Sequence, residues 1–200
     1  MHKDIAPWQV LDSKITYEDQ WIRLRSDTCQ TMNGHIVTPY HVIELPAWVN
    51  IVALTSDNKI VLAREYRHGA GQVLSGLPGG VIESFDTDPL VAIQRELQEE
   101  TGYSSNAIFP IGQGYANPAN QNNIIYAFLA VDVVQTHSQK LDEAEHIEIV
   151  LQEFLEFSRQ VWSGELPAQA LHLATLGFAE HFIMRSNLPQ LKGLREMLLQ

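Results

Sequence analysis

The sequence predicts a mixed α/β fold preceded by a small antiparallel β lobe, and three observations predict it. Residues 9–45 read as short strands with turn punctuation, a strongly capped helix follows at 89–101, and apolar helical segments close the chain. Strands, helix, strands, helices in one chain of 200 residues suit layered α and β better than a purely parallel doubly wound sheet. The expected division is a lobe at 1–45 and a main domain at 46–200.

Each element has a local reason. Trp21-Ile22-Arg23-Leu24-Arg25 alternates apolar and basic residues, as a half-exposed strand would. Met32-Asn33-Gly34-His35 carries the Asn-Gly pair of type I′ hairpin turns, and an extended pattern resumes over 36–45. The lobe is light in apolar bulk, so it is expected to lean on the main domain or on a partner chain. Two apolar runs, 48–55 and 59–65, flank Ser56-Asp57-Asn58 and predict a hairpin. Residues 68–76, with three glycines and little apolar content, read as loop. Asp88 is the cap of a helix that Pro89 opens and Gly102 closes. Residues 124–133 form the most apolar strand candidate, and an acidic loop at 141–146 leads into a strand at 147–150. Phe154, Leu155, Ser158, Val161 and Trp162 share a helical face that ends at Gly164. Residues 167–184 are apolar nearly all round, and Leu191, Leu194 and Leu198 mark a short last helix.

Charge and cysteine content narrow the function. Thirteen basic against 24 acidic residues give a net charge of −11, which argues against nucleic acid and anionic membranes as partners. A small anionic substrate remains compatible if a cation lies between it and the carboxylates. The one cysteine, Cys29, excludes an internal disulfide or a multi-cysteine metal site and has no local signature of a nucleophile. The first ten residues mix charge and proline and read as no signal peptide, and no apolar run approaches the ~18 residues of a membrane span. A cytoplasmic protein is expected. No His-Glu-x-x-His spacing occurs, so His172 and His181 read as helix-surface or satisfied core residues.

The chemistry concentrates in the capped helix. At ~100° per residue, Leu90, Ile93 and Leu97 form an apolar stripe, with Glu96, Glu99 and Glu100 beside it over the small Ala92. Three carboxylates within about a turn repel one another, and Arg95 relieves only part of this. A hard divalent cation such as Mg²⁺ turns that repulsion into coordination. A charge run is more often a solvated face; these carboxylates differ in abutting the buried stripe instead of opposing it. Gly79 and Gly80 permit close backbone approach to a ligand, and a carbonyl there can complete a metal shell.

Leu77-Pro78-Gly79-Gly80-Val81-Ile82-Glu83 and Arg95-Glu96-Leu97-Gln98-Glu99-Glu100-Thr101-Gly102-Tyr103 together resemble the Nudix box. The family pattern is Gly, five residues, Glu, seven residues, then Arg-Glu-aliphatic-x-Glu-Glu-x-Gly-aliphatic. Its second half matches from Arg95 to Gly102; its first half needs one extra residue, so Asp86 or Thr87 stands in the place of the family Glu. The resemblance implies an α/β/α sandwich with a mixed sheet. It extends to the ADP-ribose and nucleoside-diphosphate-sugar pyrophosphatases through Glu65-Tyr66-Arg67, Pro118 fifteen residues beyond Tyr103, and Asp142-Glu143-Ala144-Glu145-His146-Ile147. Gly76 departs from it, standing where many relatives have Glu.

The resemblance implies metal-dependent hydrolysis of a nucleoside diphosphate linked to a group X, with ADP-ribose or another nucleotide sugar as substrate and Mg²⁺, or alternatively Mn²⁺, as cofactor. The implied metal ligands are Glu96, Glu99, Glu100, Glu145 and the Gly79 carbonyl, with Glu143 as general base and Glu99 also catalytic. Arg67 is the implied phosphate contact, and Tyr40 or Trp21 the aromatic that stacks on the base. A symmetric homodimer through residues 9–45 is expected, because a lone lobe of this kind is marginal and relatives pair through theirs. The competing expectation is a Nudix-fold module that holds a nucleotide without cleaving it.

Overall fold

In the computed structural model, which describes residues 5–199, the chain first lays down β1 (Gln9–Glu18), β2 (Arg23–Gln30) and β3 (Ile36–Glu44). They form an antiparallel sheet in that order. The turn lies at the expected place but is not the expected type I′ turn, because Asn33 does not take a positive φ. The Gly34 N–H donates to the Thr31 carbonyl (2.9 Å) with Gly34 itself left-handed at φ 81°, a turn over 31–34 closed by a glycine bulge. Trp21 and Ile22 fall outside the strand, because the Asp19 carboxylate accepts both of their backbone N–H groups at 2.8 Å and turns the chain there. Residues 5–46 form one compact unit together with Tyr115–Ile124. Within it, Ile43 N–H donates to the Asn120 carbonyl (2.7 Å) and Leu45 N–H to Asn122 Oδ1 (3.1 Å).

The second unit holds β4 (Trp48–Ala53), β5 (Lys59–Arg67), β6 (Gln72–Gly76), β7 (Gly79–Val81), α1 (Pro89–Thr101), β8 (Tyr103–Ser104), β9 (Ala107–Tyr115) and β10 (Ile124–Val131) but for their end residues Tyr115 and Ile124, β11 (Val134–Gln135), β12 (Glu148–Glu153), α2 (Phe154–Trp162), α3 (Ala170–Arg185) and α4 (Lys192–Leu198). One sheet runs β7-β4-β10-β9 and is mixed, since β4 pairs parallel with β10 and antiparallel with β7. Another runs β12-β5-β6, and β8 pairs with β11.

Two expectations are corrected here. The apolar runs at 48–55 and 59–65 do not pair as a hairpin ladder. They share one bridge, Leu54 to Ile60, and then diverge into different sheets, because each finds a longer partner elsewhere. The expected loop at 68–76 contains a short 3₁₀ turn and then β6, which pairs with β5 from Ala63–Gly76 to Arg67–Gln72. Pairing with an existing strand supplies what a polar, glycine-rich segment lacks in propensity.

Period-two alternation sorts the side chains of β4 and β10 onto two faces. Val52, Leu54, Leu129 and Val131 pack with Phe154, Val161, Leu176 and Ile183 from α2 and α3. Val49, Ile51, Phe128 and Ala130 pack with Ala92, Ile93 and Leu97 of α1. Helices thus cover both faces, an α/β/α layering. At about 1.5–3 kcal/mol for each fully buried aliphatic side chain, this core outweighs the roughly 1 kcal/mol of a helix cap. The caps decide where α1 begins and ends. Asp88 Oδ1 accepts from Leu90 N–H (2.8 Å) and Val91 N–H (3.0 Å), and Gly102, left-handed at φ 73°, donates to the Gln98 carbonyl. Leu90, expected in the apolar stripe, is instead exposed on the first turn. Among the described residues no helix is long and apolar enough to cross a membrane.

Candidate active site

The glycine pair is forced by its neighbours. Gly79 has φ 155°, and a side chain there would run into the Val49 carbonyl and lie 2.7 Å from Asn50 Cα. A Cβ on Gly80 would sit 2.5 Å from Glu96 Oε1. Only glycine lets β7 pass between β4 and the carboxylates of α1. In that position the Gly79 N–H donates to Glu100 Oε2 at 2.9 Å.

Arg95 ties the loop to the helix. Its Nη2 donates to Asp86 Oδ2 (2.8 Å) and to the Val81 carbonyl (3.1 Å), and its Nε to Asp86 Oδ1 (3.2 Å). Its Nη1 reaches Glu96 (2.9 Å) and Glu99 (3.0 Å), and its guanidinium carbon lies 5.4 Å from the Phe85 ring centre. The Asp86 side chain is 1% exposed, and the Arg95 hydrogen bonds hold its carboxyl below the usual carboxylate range. Of the two residues that can stand for the family Glu, Asp86 is the one that meets Arg95, so the extra loop residue leaves the clamp intact.

The carboxylates around this hub push one another's protonation upward. Burial raises Glu100, 7% exposed, to about 8, outweighing the Gly79 N–H that favours its charge. Burial also raises Glu96, and Arg95 offsets part of that. Glu65 is raised by burial against the opposing pull of Arg67. The charge of Glu145 adds to all three. Among the described residues no group of three or more His, Cys, Asp or Glu side chains already stands close enough to hold a metal ion; as placed, Arg95 draws Glu96 and Glu99, and Gly79 N–H draws Glu100. The donor set nonetheless suits a hard divalent cation, being all oxygen, mutually repelling and too acidic for one arginine to neutralise.

A pH dependence follows. The folded-state value of Glu100, about 8, lies above its ordinary 4.5, so folding favours the protonated form. Its contribution to stability is complete below the ordinary value and is lost as pH rises through about 8. In chelator the free energy of unfolding is expected to fall as pH rises from about 5 to about 8.5, by an amount on the order of a few kcal/mol, and the melting temperature to fall with it. Glu100→Gln should flatten that slope; a slope unchanged in the variant assigns it to other groups.

The remaining candidates are distributed unevenly. Glu145 lies in the acidic loop, its Oε2 accepting from Asp142 N–H (3.1 Å), and it is the loop residue whose charge reaches Glu65, Glu96 and Glu100. Glu143 is exposed on the same loop. Arg67, at the end of β5, pairs with Glu65 and lines a cavity of about 220 Å³ that shares the Gly79-Gly80 wall. Tyr40 and Trp21 belong to the first unit and the carboxylates to the second. Tyr40 donates to the Ala119 carbonyl and packs edge-on against Trp8 (5.7 Å), whereas Trp21 is 78% exposed.

His172 is buried, as one of the two readings of it expected, but its place beside Gly76 and that of Glu65 among the carboxylates were not foreseen. Glu65 joins the carboxylates, and the signal was period two along β5, which puts residues 65 and 67 on one face. His172 is buried beside Gly76, where a Cβ would lie 2.7 Å from its ring, so Gly76 is small because the imidazole occupies that volume. Nothing local in the sequence links positions 76 and 172.

A family model described as the NUDIX domain matches residues 45–169, and one described as the nucleoside diphosphate sugar hydrolase N-terminal domain matches residues 8–43. The chain is 28% identical to an ADP-ribose pyrophosphatase of Bacillus subtilis (strain 168) over 149 residues, covering 74% of this chain and 76% of the relative. It is 26% identical to an ADP-ribose pyrophosphatase of Mycobacterium tuberculosis over 184 residues, covering 86% and 87%. A methanol dehydrogenase activator of Bacillus methanolicus is 29% identical over 143 residues, covering 70% and 76%. Among solved structures, an ADP compounds hydrolase superposes with a TM-score of 0.79 at 21% identity, over 90% of this chain and 96% of the other, a likeness of fold.

Proposed function

Because the chain belongs to the Nudix hydrolase family, we propose that it cleaves the diphosphate of ADP-ribose or a related nucleotide sugar, using a divalent metal, Mg²⁺ or Mn²⁺. The observation that supports this reading is the glycine loop held against α1 by the Asp86–Arg95 clamp, with Gly79 N–H on Glu100, Arg95 on Glu96 and Glu99, and the charge of Glu145 acting on Glu96 and Glu100. The relatives named ADP-ribose pyrophosphatase support the substrate class.

In this reading Glu96, Glu99, Glu100, Glu145 and the Gly79 carbonyl hold the metal. When bound, such a cation acidifies water and neutralises charge on the phosphoryl oxygens. The protein's own groups do the rest. Arg67 presents its guanidinium to a phosphate. The Gly79-Gly80 backbone allows the substrate close approach, and the Asp86–Arg95 clamp keeps the loop still while the carboxylates exchange Arg95 for a cation. Product chromatography over a panel of nucleotide sugars with Mg²⁺ tests the reading: AMP release from ADP-ribose is expected, and no turnover of any member would overturn it.

The acidic loop holds the proton acceptor for the attacking water. Glu143 is the proposed base, exposed and close in sequence to the ligand Glu145. Losing a base costs about 10²–10⁴-fold in kcat. Glu143→Gln is expected to lower kcat within that range with KM for metal unchanged, and Glu145→Gln to raise the metal concentration needed. Wild-type kcat in both variants places the base elsewhere.

A regulatory module that binds without cleaving is the second reading, favoured by the relative named an activator. Turnover in the panel decides between the two.

The β1-β2-β3 sheet supports a homodimer. Trp8, Val10, Leu11 and Tyr17 are exposed along and beside β1, and an edge strand with apolar groups on both faces needs a cover. Two-fold pairing would cover it and let an aromatic from one copy stack on the partner's nucleotide. Trp21 suits that role better than Tyr40, whose hydroxyl and ring are engaged within their own unit. Light scattering at micromolar concentration is expected to give twice the 22.6 kDa chain mass; a monomer throughout removes both the dimer and the stacking role.

A further inference from the structure

We infer that Gln139 is a positioning residue for the reaction: its side-chain amide clasps the base of the acidic loop to the C-terminus of α1 and so sets where Glu143 and Glu145 stand against the helix carboxylates. The consequence for turnover rests on the hydrolase reading of that loop. The clasp itself rests on the geometry of residues 136–147.

The last turn of an α-helix leaves carbonyls with no partner inside the helix. In α1 the segment that follows β11 takes them up. Lys140 N–H donates to the Glu99 carbonyl (2.8 Å), and Thr136 and His137 N–H both donate to the Gly102 carbonyl (2.9 and 3.1 Å). The segment lies so close that a Cβ on Gly102 would run into the His137 carbonyl. The Glu100 carbonyl is met by a side chain instead, Gln139 Nε2 at 2.7 Å. The same nitrogen donates to the Ile147 carbonyl at 3.1 Å, eight positions further along the chain.

An amide nitrogen carries two hydrogens, and here each has its own carbonyl. The two carbonyls belong to different elements. Glu100 is part of α1 and 7% exposed; Ile147, 8% exposed, is the residue before β12. Gln139 therefore joins helix and sheet through one atom and closes both ends of the loop between them. Within the loop, Glu145 N–H donates to the Asp142 carbonyl (3.0 Å) and Asp142 N–H to Glu145 Oε2 (3.1 Å), so the tip is a turn that holds its own shape. Glu143 and Glu145 are exposed, so burial does not hold that tip against α1. Its direction is left to the two stems, and the clasp is where the stems meet. The Asp86–Arg95 clamp fixes the glycine loop to α1, and the Gln139 clasp does the same for the acidic loop.

Hydrogen exchange on the metal-free protein and steady-state kinetics test this together. Gln139→Met keeps the length of the side chain and removes both donors. Gln139→Asn keeps the amide but withdraws it by about 1.5 Å, out of reach of both carbonyls. The position is half-buried and outside the core, so the amides of β4 should keep wild-type protection in both variants. The amides of 140–147 should exchange at least about tenfold faster, as expected when two hydrogen bonds are lost. With a nucleotide sugar that the wild type cleaves and saturating Mg²⁺, kcat should fall about 10–100-fold, the usual cost of losing an orienting partner, with KM for the nucleotide unchanged. That loss should largely disappear in a Glu143→Gln background, because a residue that acts through the base adds little once the base is gone. Wild-type exchange over 140–147 in both variants, or a kcat loss that multiplies in full with that of Glu143→Gln, would overturn the assignment. So would wild-type kcat in a variant whose loop exchanges fast. Failure of the hydrolase reading appears separately, as no turnover by the wild-type protein, and the exchange result then decides the clasp alone.

Discussion

Replacing Glu100 with Gln is expected to lower turnover on the order of 10²–10³-fold while the protein still folds. Gln keeps the volume and keeps an oxygen to accept the Gly79 N–H, so the β7 contact survives. What disappears is one negative charge in a place where burial already opposes it. The metal-free protein should therefore gain stability at alkaline pH even as catalysis collapses, a divergence that simple misfolding cannot produce. Glu96→Gln and Glu99→Gln should lose activity similarly, and each also removes the negative charge from one hydrogen bond to Arg95. Calorimetry of Mg²⁺ binding checks the cause, since affinity should fall in all three. Full wild-type activity in excess chelator would refute the metal assignment outright.

Asp86→Ala is expected to cost about 3 kcal/mol, at the lower end for removing one partner of a buried ion pair, because Arg95 retains Glu96, Glu99 and the Val81 carbonyl. Asp86 sits below its ordinary 3.8, so its contribution is present above that value and is lost as pH falls through the depressed one. The deficit of Asp86→Ala should accordingly shrink in acid. Asp86→Glu restores the charge on a longer stem and should recover most of the stability. Urea melts at neutral and acid pH read both effects; equal deficits at the two would mean that the pair contributes little.

The site was legible where it is local in sequence. Between Gly79 and Gly102 the caps, the glycine pair and the three helix glutamates could be placed by spacing alone, and the structure finds α1 between the residues that the capping chemistry marks. Contributions from distant segments were not legible. β6 reads as loop because its polar residues become a strand only against β5, and β9, with Pro110 and two glycines, carries little strand signal of its own. The His172 ring accepts from Leu77 N–H across 95 residues. Leu90 shows the converse error, since apolar periodicity identified a stripe but not where the first turn leaves the core.

The turn between β4 and β5 has a consequence for how the chain can be rewired. Short polar surface turns are ordinarily good places to insert a domain or to open new termini. Residues 55–58 look like such a place and are not. Thr55 accepts from Lys59 N–H (3.0 Å) and donates to Asp57 (2.6 Å), Lys59 pairs with Asp57 (2.8 Å), and Asn58 is left-handed at φ 62° with its carbonyl accepting from Phe154 N–H (3.1 Å). The two strands that leave this knot enter different sheets, one bordering β7 and the other ending at Arg67. Splitting the chain there would loosen the relative placement of glycine loop and arginine. The Asn33-Gly34 hairpin tip, with open space around Gly34, is the better point for a circular permutation or a fused reporter.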